Sequence, residues 1–194
     1  DQGEVRDSKV RILALRGFEK FVEGKPAEEL PRIVNRICGI CPWQHHMASN
    51  KAVDRCFGVT PPPAGRKLRE LMQAISHSED KILHFYFLAV PDFVMGPESD
   101  YSVRNIIGVA KAHPDLAKRV VQMRQSTKMI LEAFAGKAIH PHAGVPGGFS
   151  KPLLEEDRKQ FLAQMKEMLD FALFTIEFAK TQVFPKYLDA VTTL

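Results

Sequence analysis

The sequence predicts a mainly α-helical protein, a bundle of about three long helices with a short N-terminal strand and irregular loops. Three segments, at residues 66–90, 114–134 and 153–183, repeat apolar residues at the helical spacing of i, i+3, i+4 and i+7. Stretches rich in proline and glycine separate them. Hydrophobic residues make up 45% of the 194 residues, which predicts one packed domain over residues 1–194.

The first elements along the chain are short. The alternating stretch KVRILALRG predicts a strand that ends at Gly17, and FEKFVEGK predicts a short helix that stops at Gly24. The next segment, PAEELPRIVNRI, opens with a proline and two acids, which favour the first turn of a helix. MASNKAVDRCFG predicts a further helix that Gly58 caps.

The three long helices have recognisable ends. Thr60 is the predicted N-cap before the first long helix, and Pro91 is predicted to end that helix. The second begins near Pro114 and stops before Gly136. The third is expected to bury a broad apolar stripe, formed by Phe161, Met165, Met168, Leu169, Phe171, Ala172 and Ile176.

Charge and hydropathy exclude several classes of function. The net charge is +4, and the basic residues are spread among apolar ones, as on a solvated helix face, so we expect no nucleic-acid partner. The sequence contains no apolar run of about 18 residues, and its first residues lack the apolar core of a signal peptide. We therefore expect a cytoplasmic protein, unless a partner's signal exports it.

A cysteine–histidine cluster in the stretch NRICGICPWQHH indicates metal chemistry. Cys38 and Cys41 lie about one helical turn apart, so both thiolates can reach one metal, and His45 follows four residues later on the same face. Gly39 lets the backbone approach a bulky centre, and Arg36 supplies a cation that favours thiolates. The simpler alternative is a buried cysteine pair at a helix start. Cys56 is expected to be buried.

The spacing R-x-C-G-x-C-x-x-x-H, at residues 36–45, resembles the first metal-binding motif of the nickel–iron hydrogenase large subunit. Three further stretches resemble that family: RGFE at residues 16–19, KAVD at residues 51–54, and IHPHAGVPGG at residues 139–148. The resemblance covers most of the chain. The doublet of His45 and His46 followed by MAS is more similar to the soluble, multi-subunit members than to the periplasmic uptake type.

The resemblance implies a function and a set of site residues. The parent subunit would catalyse the reversible heterolytic oxidation of dihydrogen to protons and electrons at a nickel–iron centre, whose iron carries carbon monoxide and cyanide. Cys38 would be a terminal nickel ligand, and Cys41 would bridge nickel and iron. His45 would donate a hydrogen bond towards the bridging sulfur, and Glu19 would bind a magnesium-type ion.

The family also implies partners. If Cys38 and Cys41 bind the metal, only Cys56 is left, so an iron–sulfur small subunit must carry the electrons away. Further electron-transfer subunits would join it, and maturation proteins would assemble the centre.

The chain departs from the family pattern at both ends, because the family's R-x-E-G-H and D-P-C-x-x-C-x-x-H motifs are missing from the sequence. We therefore expect an internal fragment that is inactive alone, with an incomplete nickel–iron centre.

Three other interpretations remain open at the level of sequence. Cys38, Cys41 and His45 or His46 could form a structural zinc module. A thiol–disulfide oxidoreductase would use the same cysteines but normally needs a strand-to-helix turn. A non-catalytic relative from a respiratory complex would typically lack the cysteines. We interpret His140 and His142 as loop residues that hydrogen-bond to backbone.

Overall fold

The computed structural model describes residues 3–11, 13 and 16–188, and it confirms a mainly helical protein with three long helices. Short 3₁₀ turns flank α2 at Ala27–Glu29 and Asn35–Ile37, and another lies at Phe184–Lys186. The α-helices of the described residues are α1 (Phe18–Phe21), α2 (Leu30–Val34), α3 (Pro42–Cys56), α4 (Pro63–Leu83), α5 (Val90–Met95), α6 (Ile106–Ala112), α7 (Pro114–Ala135) and α8 (Glu155–Phe178).

The predicted strand near the N-terminus does not form in the residues that can be described. Residues 9–11, 13, 16 and 17 of that stretch are not in a strand, and the rest of it lies outside the described residues. Strand pairing is found instead in a small hairpin of β1 (Gly144–Val145) and β2 (Gly148–Phe149), which pair antiparallel. An extended segment needs a neighbouring backbone to become a strand, and within the described residues the stretch has none.

The first long helix differs from its prediction at both ends. It begins at Pro63 with Pro62 as N-cap, instead of being capped by Thr60, because a proline suits the first helical position. It does not end at Pro91. A π-helical turn at His84–Ala89 follows α4, and α5 continues to Met95 with Pro91 in its first turn. The wider turn shifts the hydrogen-bond ladder, so the missing N–H of Pro91 falls where no intrahelical bond is required.

The other helix ends follow ordinary capping chemistry. Gly136 closes α7 in the left-handed conformation, with φ 93°, and its N–H donates to the Glu132 carbonyl. The sequence prediction missed α6, a helix of seven residues. Its N-cap Asn105 accepts hydrogen bonds from the N–H groups of Ile107 at 3.0 Å and Gly108 at 3.1 Å.

The core lies where α3, α4, α7 and α8 meet. Its most completely buried side chains include Met72, Ile130, Leu131, Phe134 and Phe171. The stripe predicted on α8 is narrower than expected, because Ala172 is exposed and Leu169 and Ile176 are 59% and 56% exposed. Within the described ranges, no helix combines the length and the apolarity that a membrane crossing requires.

Candidate metal centre

The backbone around the two cysteines changes conformation twice within a few residues. A 3₁₀ turn ends at Ile37, Cys38 is extended, and α3 starts at Pro42 with Cys41 as its N-cap. The Cys38 sulfur accepts hydrogen bonds from the N–H groups of Cys41 at 3.2 Å and Ile40 at 3.4 Å. The two sulfurs lie 2.9 Å apart, and both cysteines are free thiols.

The structure brings together Cys38 and Cys41, the two predicted thiolate ligands, and His45, the predicted hydrogen-bond donor. Their ligand atoms all lie within 4.8 Å of one another, and all three residues are half-buried. One helical turn separates Cys41, the N-cap of α3, from His45, which brings the imidazole to the same side of the helix as the Cys41 sulfur. Two thiols and an imidazole nitrogen form a donor set that suits a soft, redox-active transition metal. The residues present therefore fit one side of a thiolate-bound metal centre.

The two thiols have different acidities. Burial opposes ionisation of Cys38, but the hydrogen bonds donated by the Cys41 thiol and by the backbone N–H groups outweigh it and lower the pKa of Cys38. Donating that hydrogen bond, together with burial, raises the pKa of Cys41 to about 11. The negative charge of Asp80, on α4, acts to raise the pKa of both cysteines. The sequence prediction missed Asp80, because no spacing connects α4 to the cysteines.

His46 does not join the cluster, although it neighbours His45. Its ring is completely buried, and its Nε2 accepts a hydrogen bond from the Gly144 N–H at 3.0 Å. Its Nδ1 therefore carries the proton and donates to the Pro31 carbonyl at 2.8 Å. Burial lowers the pKa of His46, which keeps the ring neutral. His46 is thus excluded from the zinc ligand set that the sequence left open.

A buried ion pair between Asp54 and Arg69 holds the β1–β2 hairpin against α3 and α4. The guanidinium contacts the Asp54 carboxylate at 2.5 Å and donates to the carbonyls of Val145 at 2.7 Å and Gly148 at 2.9 Å. The N–H of Gly147 donates to Asp54 at 2.7 Å. Burial opposes ionisation of Asp54, but the Arg69 and Gly147 hydrogen bonds overcome it and lower the pKa of Asp54. No local spacing in the sequence relates KAVD, which contains Asp54, to the PGG of the hairpin.

The remaining predicted residues lie elsewhere. Glu19 is exposed in α1, and Arg36, two residues before Cys38 in the sequence, is exposed as well. Cys56 is exposed, so the expectation that it is buried is wrong; it is the last residue of α3, where the helix meets solvent. His140 bonds to backbone as expected, since its Nδ1 lies 3.1 Å from the Asn35 carbonyl.

Comparison with known proteins settles the family. A family model described as nickel-dependent hydrogenase matches residues 16–102, the range that contains Cys38, Cys41 and His45. The chain is 48% identical, over all of its length, to the vhu A polypeptide of the F420-non-reducing hydrogenase of Methanocaldococcus jannaschii, and covers 46% of it. The chain belongs to the nickel-dependent hydrogenases. The chain is also 36% identical over 168 residues to the NAD-reducing hydrogenase HoxS subunit beta of Cupriavidus necator, and the match covers 84% of this chain and 34% of the relative.

Solved structures agree with this assignment. The chain is similar to the NAD⁺-reducing [NiFe]-hydrogenase in the H₂-reduced state, with a TM-score of 0.87 and 37% identity, over 92% of this chain and 40% of that one. It is similar also to the reduced Ni-Fe-Se hydrogenase of D. vulgaris Hildenborough, with a TM-score of 0.72 and 28% identity, over 90% of this chain and 38% of that one. The chain spans less than half the length of these relatives. The comparisons favour the nickel–iron interpretation over the zinc alternative.

Proposed function

We propose that Cys38 and Cys41 supply two of the thiolate ligands of a nickel–iron centre, and that the complete subunit oxidises dihydrogen reversibly to protons and electrons. The observation that carries this proposal is the pair of free sulfurs 2.9 Å apart, within reach of the His45 imidazole. Membership of the nickel-dependent hydrogenases supports nickel as the metal. When bound, the centre supplies the heterolytic cleavage of dihydrogen.

Each residue of the cluster has a distinct proposed role. Cys38 would be the terminal nickel ligand, and its lowered pKa favours the thiolate that a soft metal binds. Cys41 would be the bridging ligand, and its raised pKa means that metal binding would require the loss of a tightly held proton. His45 donates a hydrogen bond towards the Cys41 sulfur, which orients that ligand.

Electron transfer and assembly require partners. The chain has three cysteines, and two are assigned to the metal, so it cannot hold a four-cysteine iron–sulfur cluster of its own. Relatives are named as subunits of hydrogenases, and the name of one of them includes the term iron-sulfur. We propose an iron–sulfur small subunit as partner, with further electron-transfer subunits and with maturation proteins that load the metals.

The complete centre needs ligands from outside these 194 residues. Cys38 and Cys41 provide two thiolates, whereas the proposed centre has four. We therefore propose that residues 1–194 form one domain of a longer polypeptide and are inactive alone. One hydrophobic core shared by α3, α4, α7 and α8 supports the single domain. The carbon monoxide and cyanide ligands of the iron and the cytoplasmic location stay predictions.

Metal analysis of the full-length protein, purified with its partner subunits, tests the proposal. The wild type should contain nickel and iron, and Cys38→Ser and Cys41→Ser should each lose nickel and hydrogen uptake. Cys56→Ser is the matched control, because Cys56 is exposed and stands outside the cluster, and it should keep both. Zinc in the wild type, without nickel or iron, would refute the proposal in favour of the zinc module.

We also propose Glu19 as a ligand of a magnesium-type ion. Its carboxylate is exposed in α1, where oxygen ligands from the rest of the protein can join it. Magnesium content should fall in Glu19→Gln and not in Glu28→Gln, a second exposed carboxylate on the same side of the cysteines in sequence. Equal magnesium in the two variants would contradict this assignment.

A further inference from the structure

The imidazole of His46 joins three separate parts of the chain. Its Nδ1–H donates to the carbonyl of Pro31, in α2, and its Nε2 accepts from the N–H of Gly144, in β1. The side chain is 0% exposed, so neither bond competes with water. A neutral imidazole has one donor and one acceptor, and here both are used.

The bond to Pro31 closes the chain segment that carries the metal ligands. Pro31 lies before Cys38 and His46 lies after His45, so the cysteines and His45 all belong to the loop between the two bonded residues. The bond therefore sets the direction of α2 relative to α3. Since α3 starts directly after Cys41, a rotation of α3 moves the His45 ring relative to the Cys38 sulfur.

The bond to Gly144 is built into tightly packed surroundings. Asn50, one turn after His46, is completely buried and donates to the His46 carbonyl at 2.8 Å. A side chain at residue 144 would collide with both, because its Cβ would lie 2.5 Å from the Asn50 Nδ2 and 2.8 Å from the His46 Nε2. The β1–β2 hairpin therefore packs directly against His46 and leaves no space for a side chain at residue 144.

A second connection ties the same loop to the segment before β1. The Asn35 side chain is buried and donates to the Pro141 carbonyl at 2.7 Å, while His140 bonds to the Asn35 carbonyl. The residues on both sides of the cysteines are thus anchored to residues 140–144. On the α3 side, His46 makes this connection to Gly144, and the same ring also bonds to Pro31 at the other end of the loop.

We propose that His46 is a positioning residue for the metal centre: through its bond to Pro31 it holds the loop of Cys38, Cys41 and His45 in the shape that the metal requires. The inference rests on the proposed function of that cluster. His46 touches no ligand atom; it acts through the backbone of α2 and α3. Loss of outer residues that orient metal ligands typically lowers metal affinity or activity about 10- to 100-fold.

Three substitutions in the full-length protein, assembled with its partners, separate the two bonds. His46→Phe fills the volume and makes neither bond. His46→Asn can place an amide N–H near the position of Nδ1 and keep the bond to Pro31, whereas His46→Gln can reach Gly144 and lose Pro31. His113→Phe is the control, because His113 is exposed and its side chain caps no helix N–H. Nickel content, the nickel electron paramagnetic resonance spectrum and amide hydrogen exchange of Gly144 are measured on each.

We expect nickel content to fall about 10-fold or more in His46→Phe, with an altered spectrum of the remaining nickel. His46→Asn should keep the wild-type spectrum with faster Gly144 exchange, and His46→Gln should show slow exchange with an altered spectrum. Wild-type nickel content and spectrum in His46→Phe, whatever its melting temperature, would overturn the proposal. If His46→Phe does not assemble, indistinguishable spectra from the Asn and Gln variants would overturn it. Absence of nickel from the wild type would instead refute the proposed function.

Discussion

Removing the guanidinium of the buried Arg69–Asp54 pair should destabilise the protein severely. The two side chains are 6% and 8% exposed, and Arg69→Met leaves the Asp54 carboxylate buried with the Gly147 N–H as its remaining donor. The carbonyls of Val145 and Gly148 lose the hydrogen bonds that the guanidinium donates to them as well. Breaking one partner out of a buried pair costs about 3–5 kcal/mol, so we expect a loss of that size in the free energy of unfolding.

Asp54→Asn should lower the free energy of unfolding by less than Arg69→Met does. In Asp54→Asn, Arg69 keeps its two carbonyl acceptors, and the oxygen of the new amide can still accept from the Gly147 N–H. The double variant should cost about 1–3 kcal/mol less than the sum of the single variants, since the two groups are in contact. The pKa of Asp54 is lowered in the folded state, so its stabilisation is present above about pH 4, its ordinary pKa, and disappears as the pH falls through the lower folded value.

Urea denaturation followed by circular dichroism measures these differences at neutral and at lower pH. Arg66→Met is the matched control on the same helix, because its partner Glu70 lies 3.9 Å away and both side chains are strongly exposed. That control should lose less than about 1 kcal/mol. A loss in Arg69→Met no greater than in the control, or a pH dependence unchanged in Asp54→Asn, would refute this account of the ion pair.

Two further predictions concern the backbone. Gly144→Ala should lower the free energy of unfolding by about 1–3 kcal/mol, because the new methyl group meets the Asn50 amide. Gly148→Ala is the control, because its methyl group meets no atom within contact distance, and it should lose less than about 1 kcal/mol. Urea denaturation measures both. Equal losses would contradict the close approach of β1 to α3. Asn105→Ala should lower the free energy of unfolding by about 1 kcal/mol, because α6 loses its N-cap, and Asn105→Asp should restore the cap. Thermal unfolding of the wild type and the two variants measures the difference. An Asn105→Ala protein as stable as the wild type would show that the cap is dispensable.

The helical architecture could be predicted because its signals are local. Apolar residues at helical spacing place α4, α7 and α8 close to their observed bounds, and Gly136 ends α7 as its free access to positive φ implies. One prediction from a local signal was wrong. Pro91 does not end its helix, because a π-helical turn precedes it and α5 continues past it. The exposed Leu169 and Ile176 show that periodicity marks an apolar face without saying what covers it.

The sequence by itself determined the ligand types and their order, because Cys38, Cys41 and His45 lie within about two helical turns of each other. Only the tertiary structure decided which neighbours act on them. The negative charge of Asp80, on α4, opposes ionisation of both cysteines, Asn35 bonds to Pro141 across 106 positions, and His46 reaches Gly144 instead of the cluster. Such contacts depend on how helices pack, and packing brings together residues that no local spacing relates.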